Sequence, residues 1–233
     1  FVQRKITASS VLSHKFNTRH FLKTGTYVNF IGFDFRQSVW DRTSERMEEQ
    51  VRSDGHTQMV HAFAHWQYRA AEQLTLNAGV HTATLLLNNA TSVEPRVAVR
   101  YQPDKRNTLT LGYGLHSQAA PLATYRSKDS DGRLLNSDLG MSKAHHFVAG
   151  YDRSLTARMH IKGEVYYQHL FDVPVESGKG SSFSLLNVFD GVVYKKLENS
   201  GLGRNYGAEI TLEQFLNRGF YFLLSSSWYR SEY

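Results

Sequence analysis

Four histidines, His116, His145, His146 and His169, fall where strand-like runs meet polar connections, so they can gather on one rim. Imidazole is a common ligand for transition metals, and this is the first chemistry to weigh. These four contain no His-x-His or His-x-x-x-His pair, and the chain has no cysteine to complete a set. They read better as polar rim residues, and no metal ligand is assigned. His169, Asp172 and Asp190 can be recruited into an acid-base story, but no motif ties them together, so no catalytic residue is assigned. A larger group of charges recurs at alternate positions: Glu94, Arg96 and Arg100; His160, Lys162 and Glu164; Glu209 and Glu213; and His116. In a strand, alternate residues share a face, so each set lines one side of its segment. That suits the wall of a ligand's route. The plainer reading is a lattice of charges that only has to stay hydrated and paired, each exposed pair contributing about 0–1 kcal/mol.

The elements that position these residues are clearest in the last thirty positions. From Asn205 to Glu213, Tyr206, Ala208, Ile210 and Leu212 fall on one face, and Asn205, Gly207, Glu209, Thr211 and Glu213 on the other. Phe215 to Gly219 turns the chain, with Gly219 free to take positive φ. The return run, Phe220 to Tyr229, sets Phe220, Phe222, Leu224 and Trp228 against Ser225 and Ser227. An aromatic-rich apolar face opposite a charged one, over about ten residues per strand, suits a transmembrane β-barrel.

The same text recurs along the chain. Strands are predicted over Lys5–Phe16, Leu22–Gln37, Met59–Arg69, Leu74–Leu85, Val93–Gln102, Thr108–Gln118, Ala144–Asp152 and Arg158–Phe171. Leu22–Gln37 places Tyr27, Ile31, Phe33 and Phe35 opposite Asp34 and Arg36. Pro95 lacks a ladder N–H and is expected near the end of its strand. Ser38–His56, Ala119–Lys143 and Asp172–Gly203 are expected as long loops sharing one end, with a possible helical turn over Ser44–Val51. Short and long connections alternate, as in outer-membrane barrels with short periplasmic turns. A propeller would need a regular repeat of about 40 to 50 residues. A soluble lipocalin-type barrel would turn its apolar face inward and need no such loops.

Composition agrees. No run approaches the roughly 18 apolar residues of a spanning helix. Mean hydropathy is −0.44 with 41% apolar residues, low for a membrane protein until every second residue faces a polar interior. Thirteen Tyr and 14 Phe can supply interfacial girdles. Net charge is +6, but the basic residues are dispersed, which argues against a nucleic-acid partner. No signal peptide precedes Phe1, so the chain is expected to be a piece of a longer exported protein.

Three stretches carry a family likeness: VEPRVAVRYQPDKRNTLTLGYGLHSQAAPLATY (Val93–Tyr125), KAHHFVAGYDRSL (Lys143–Leu155) and GRNYGAEITLEQFLNRGFYFLLSSSWYRSEY (Gly203–Tyr233). They resemble the barrel of TonB-dependent outer-membrane receptors, in the subgroup with an N-terminal carboxypeptidase-regulatory-like module. The resemblance implies a 22-stranded barrel closed by a plug, importing a metal chelate, vitamin or oligosaccharide with energy delivered through TonB. It also implies that residues 1–233 are about ten strands of that all-β antiparallel meander, with the plug, through which TonB acts, and the terminal strands lying elsewhere. The alternating charges would then line the lumen, the apolar face would meet membrane lipid, and no cofactor is implied. A passive porin is the alternative, and an outer-membrane barrel enzyme a more distant one. The positive balance leans toward an anionic ligand.

Overall fold

Alternation along the chain is realised as ten strands that pair in sequence order, each antiparallel to the next. They are β1 (Val2–Lys15), β2 (His20–Asp41), β3 (Arg46–Arg69), β4 (Leu74–Leu85), β5 (Ala90–Tyr101), β6 (Asn107–Gln118), β7 (Ser142–Thr156), β8 (Met159–Glu176), β9 (Leu197–Asn217) and β10 (Phe220–Glu232). The computed structural model describes residues 1–42, 45–129, 131–178, 180–188, 193–217 and 219–233. Helix is confined to one turn, α1 (Leu122–Tyr125), and a 3₁₀ turn at Leu185–Asn187. Among the described residues no helix is long and apolar enough to cross a membrane.

A meander puts successive connections at opposite ends. Those after β1, β3, β5, β7 and β9 are short and form a turn end. Gly219 takes φ of 83° in the last of them, the left-handed conformation that glycine adopts without steric cost. The connections after β2, β4, β6 and β8 form a loop end.

The register defines two faces. Glu94 lies opposite His81, Arg96 opposite Gly114, Thr110 opposite Gly150, and Glu164 opposite both Gly150 and Glu209. Directly opposed residues share a face, so this polar face runs without a break from β4 to β9. The other face carries Val97, Leu111, Phe147, Val165 and Ile210, all about half exposed or more. On it an apolar band is framed by Arg204, Arg230 and Glu232 toward the loop end and by Arg153 toward the turn end. From Arg204 to Gln214 strand β9 rises about 33 Å at ~3.3 Å per residue. At a tilt of about 40° that is a band about 25 Å tall, the height that spans an outer membrane.

Several expectations change at the loop end. Ser38–His56 is not a loop: β2 and β3 continue to Asp41 and Arg46 as one hairpin, and the helical turn expected over Ser44–Val51 is strand from Arg46 onward (Ser44 lies outside the described residues). Cross-strand ladder bonds satisfy the backbone there, and the polar sequence only marks strand that has left the apolar band. Asp172–Gly203 is likewise shortened, because β8 reaches Glu176 and β9 starts at Leu197. Pro95 is not at a strand end either. It sits inside β5 opposite Val80, just beyond the last β5–β6 pair, Arg96 with Gly114. What ends at the proline is one ladder, so its missing N–H costs nothing on that edge.

The buried core lies on the polar side. Ile31, Phe33 and Phe35 of β2, Val51 of β3, and Ala83 and Leu85 of β4 pack with Ala120, Leu122, Ala123, Tyr125, Leu139, Met141, Val193 and Leu197 from the connections after β6 and β8. The apolar side of upper β2 therefore faces inward, against folded loops.

Candidate functional site

The polar face carries a connected network at its centre. Glu94 is only 2% exposed. Its Oε2 receives Arg96 Nη2 at 2.7 Å and His81 Nδ1 at 3.0 Å. Its Oε1 lies 2.5 Å from Ser117 Oγ and 3.2 Å from Ser92 Oγ, and the two hydroxyls are 2.7 Å apart. Beyond His81, His61 Nδ1 stands 3.3 Å from His81 Nε2, and Asn29 Nδ2 stands 3.4 Å from His61 Nε2. Tyr27 stacks on His61 with centroids 4.0 Å apart, its hydroxyl 3.3 Å from His81 Nε2. One tautomer set satisfies the row: Asn29 donates to His61, His61 Nδ1–H donates to His81, and His81 Nδ1–H donates to the carboxylate. Ser117 donates to a carboxylate that Arg96 and His81 also hold, and does not pair with an imidazole. The arrangement fixes a charge on the wall.

All nine alternating candidates, Glu94, Arg96, Arg100, His116, His160, Lys162, Glu164, Glu209 and Glu213, fall on this face by register. They do not form one cluster. Glu94 and Arg96 join the central network. His116 lies beside His146, with ring centroids 5.7 Å apart. Lys162 Nζ approaches Glu164 Oε2 at 3.3 Å. Glu164 stands directly opposite Glu209, a like-charge pair that disfavours the dry state and favours water or a cation between them. Glycine shapes this surface at two places. Phe63 lies over Gly25 and Tyr166 over Gly207, where an added Cβ would come within 2.8 Å of either ring's atoms, so both rings lie flat along the wall.

The four histidines all lie toward the loop end but are divided between the two faces, so they do not gather into one set. His116 and His146 are on the polar face. His145 is on the apolar face, where its ring lies 6.4 Å from that of His169 and 4.9 Å from that of Phe171 and its Nδ1 is 3.0 Å from the Tyr113 hydroxyl. Neighbours on a strand point opposite ways, so His145 and His146 cannot converge on one ion. The acid-base set also fails to assemble. His169 belongs to that aromatic row, Asp172 pairs with Lys143 at 2.9 Å, and Asp190 lies outside the described residues.

Residues not singled out from sequence are Tyr27, Asn29, His61, His81, Ser92 and Ser117. Their one signal was polar side chains at alternate positions, and only cross-strand register brings them together.

The loop end of this face is covered. Asn136, fully buried, accepts Leu197 N–H at 2.8 Å and donates to Lys195 O at 3.0 Å. Asn199 accepts Gly140 N–H at 2.8 Å and donates to Asp172 O at 2.7 Å. Arg126 donates to Ser53 Oγ at 2.9 Å. Burial raises the Tyr125 phenol, whose oxygen accepts Ala120 N–H, and pushes Tyr194 up to about 12, so both stay neutral at any physiological pH. Asn136 thus ties the connection after β6 to that after β8, and Asn199 of β9 ties it to β8, over the polar wall.

A bare apolar band of membrane height, backed by a polar face with loops folded over one end, is the geometry of a transmembrane β-barrel wall. The family model described as TonB dependent receptor-like, beta-barrel, matches residues 3–233, and the chain belongs to that family. Similar solved structures include the siderophore receptor PirA from Pseudomonas aeruginosa (10% identity, TM-score 0.70, 98% of this chain and 40% of that one). They also include the ferric enterobactin receptor PfeA from the same organism, as its Q482A mutant (14%, TM-score 0.72, 98% and 36%), and the copper transporter OprC (14%, TM-score 0.66, 98% and 37%). At these identities the likeness is one of fold. The chain spans 36–40% of the length of these three structures. No curated protein matches it in sequence.

Proposed function

We propose that residues 1–233 are about ten strands of the wall of a larger outer-membrane barrel, in a receptor that imports a scarce ligand into a Gram-negative bacterium. The observation that carries this reading is the His61–His81–Glu94–Arg96 network around a buried carboxylate, set on the polar face directly behind a bare apolar band. A protein that only filled a membrane would have no need to fix a desolvated carboxylate there. In this reading the polar face lines the lumen. Glu94, Arg96, Arg100, His116, His160, Lys162, Glu164, Glu209 and Glu213 keep it hydrated and meet the plug or the passing ligand. The apolar face meets lipid. TonB of the energised inner-membrane complex acts through the plug of the complete receptor. PirA, PfeA and OprC bear the names of siderophore, ferric enterobactin and copper proteins, which favours a metal chelate among the possible cargoes. The cargo is a substrate, and the wall needs no resident cofactor.

The test is uptake by cells producing the complete receptor, with candidate metal chelates as probes. Accumulation should stop when TonB is deleted or the inner membrane is de-energised. Uptake that continues under both conditions would replace this reading with that of a passive porin.

A further inference from the structure

The apolar face is not evenly covered. Across the turn-end half of β5 to β9 a depression of about 570 Å³ opens outward, lined almost wholly by apolar groups. Its floor is made of small residues, Ala149, Gly163 and Ala208. Gly163 stands between Tyr151 on β7 and Ile210 on β9, and a Cβ added there would meet nothing within 4 Å. The missing side chain is therefore a missing piece of the surface. Tyr101 and Tyr151 flank the opening, and Tyr151 donates its hydroxyl to Asn107 Oδ1 at 2.6 Å. The trough continues along Leu111 toward Tyr113 and Phe147.

We infer that this trough seats one acyl chain of a phospholipid from the leaflet at the turn end, with Arg153 holding its phosphate. Length and charge support that occupant. From Phe147 to Arg153 the strand rises about 20 Å at ~3.3 Å per residue. Tilted by about 40° this is about 15 Å deep, the thickness of one leaflet of hydrocarbon. Arg153 lies on the same face two positions beyond Tyr151, opposite Asn107 and Ile161, exposed, and in no ion pair among the described residues. It stands where a headgroup would be once the chain lies against the tyrosines, and a guanidinium is suited to a phosphate in two-pronged contact.

The proposal rests on the membrane reading above. The experiment is native mass spectrometry of the complete receptor, purified in mild detergent and supplied with phosphatidylglycerol or phosphatidylethanolamine. The wild type should retain one phospholipid through delipidation. Gly163→Leu, whose side chain enters open space, should lower that occupancy at least tenfold while the barrel still migrates as folded in unheated gels. Arg153→Gln should lower it about fivefold and remove any preference for the anionic lipid. Equal retention by wild type and Gly163→Leu, or none by the wild type, overturns the proposal. A change of oligomeric state in Gly163→Leu without loss of lipid overturns it in favour of a second copy of the chain. Either result leaves the membrane reading standing, since that is tested separately, by the cost of a charge placed in the band on bilayer folding.

Discussion

Glu94 shows how a charge is kept on this wall. A carboxylate removed from water is costly unless paired and hydrogen-bonded, and here one guanidinium, one imidazole and two hydroxyls surround it. Removing it leaves His81 and Arg96 without their acceptor. Glu94→Ala should therefore destabilise the complete barrel by about 3 kcal/mol, and Glu94→Gln, which keeps the shape and some hydrogen bonds, by about 1–2 kcal/mol. Urea titration of folding into lipid vesicles reads both, and a cost for the alanine variant within error of zero would remove the network from the stability account. The facing Glu164 and Glu209 predict the opposite sign. Glu209→Gln relieves a like-charge pair and should be neutral or stabilising by about 0.2–1 kcal/mol in the same titration. A loss of 1 kcal/mol or more would mean that a cation is bound between them.

At the scale of elements, the two faces of one strand make a paired test. On β6, Leu111 is 60% exposed on the apolar face, whereas Thr110 faces Arg100 and Gly150. Arginine in the middle of the lipid-facing band costs about 2–4 kcal/mol. Leu111→Arg should thus cost several times as much as Thr110→Arg on vesicle folding, and equal costs would reverse the facing. The loop cover hangs on Asn136. Asn136→Leu leaves the buried Leu197 N–H without its partner, a penalty of about 1–3 kcal/mol, and frees the Lys195 carbonyl. The expected outcome is faster cleavage within residues 119–141 by an external protease on intact cells, with the barrel still folded. Unchanged cleavage would show that the apolar cluster around Tyr125 and Leu139 holds the cover by itself.

At the scale of the whole molecule, the sheet has β1 and β10 at its two edges, and its apolar face carries a band of large exposed side chains. In lipid an unpaired N–H or C=O costs several kcal/mol. In water so large an apolar patch drives association. Residues 1–233 produced alone should therefore aggregate or require detergent, and should not transport. A soluble monomer in sedimentation, melting in one cooperative transition, would return the soluble-barrel alternative to first place.

Sequence alone determined the strands, their order and their two-sidedness. Period-two alternation survives in the text whatever the partner, as in Val93–Tyr101 and Asn205–Glu213. The family likeness was carried by the text of three stretches, Val93–Tyr125, Lys143–Leu155 and Gly203–Tyr233. Only tertiary structure decided the rest. Polar text at Ser38–His56 looked like a loop because solvent-exposed strand and loop share a composition, and ladder pairing alone tells them apart. Phe33 and Phe35 looked suited to lipid, yet they turn inward, because the connections after β6 and β8 fold back to cover them. The His61–His81–Glu94 row was hidden because its members are separated by 20 and 13 residues and meet only through register. A one-residue slip would turn each of them to the other face, and no single strand's sequence states its own register.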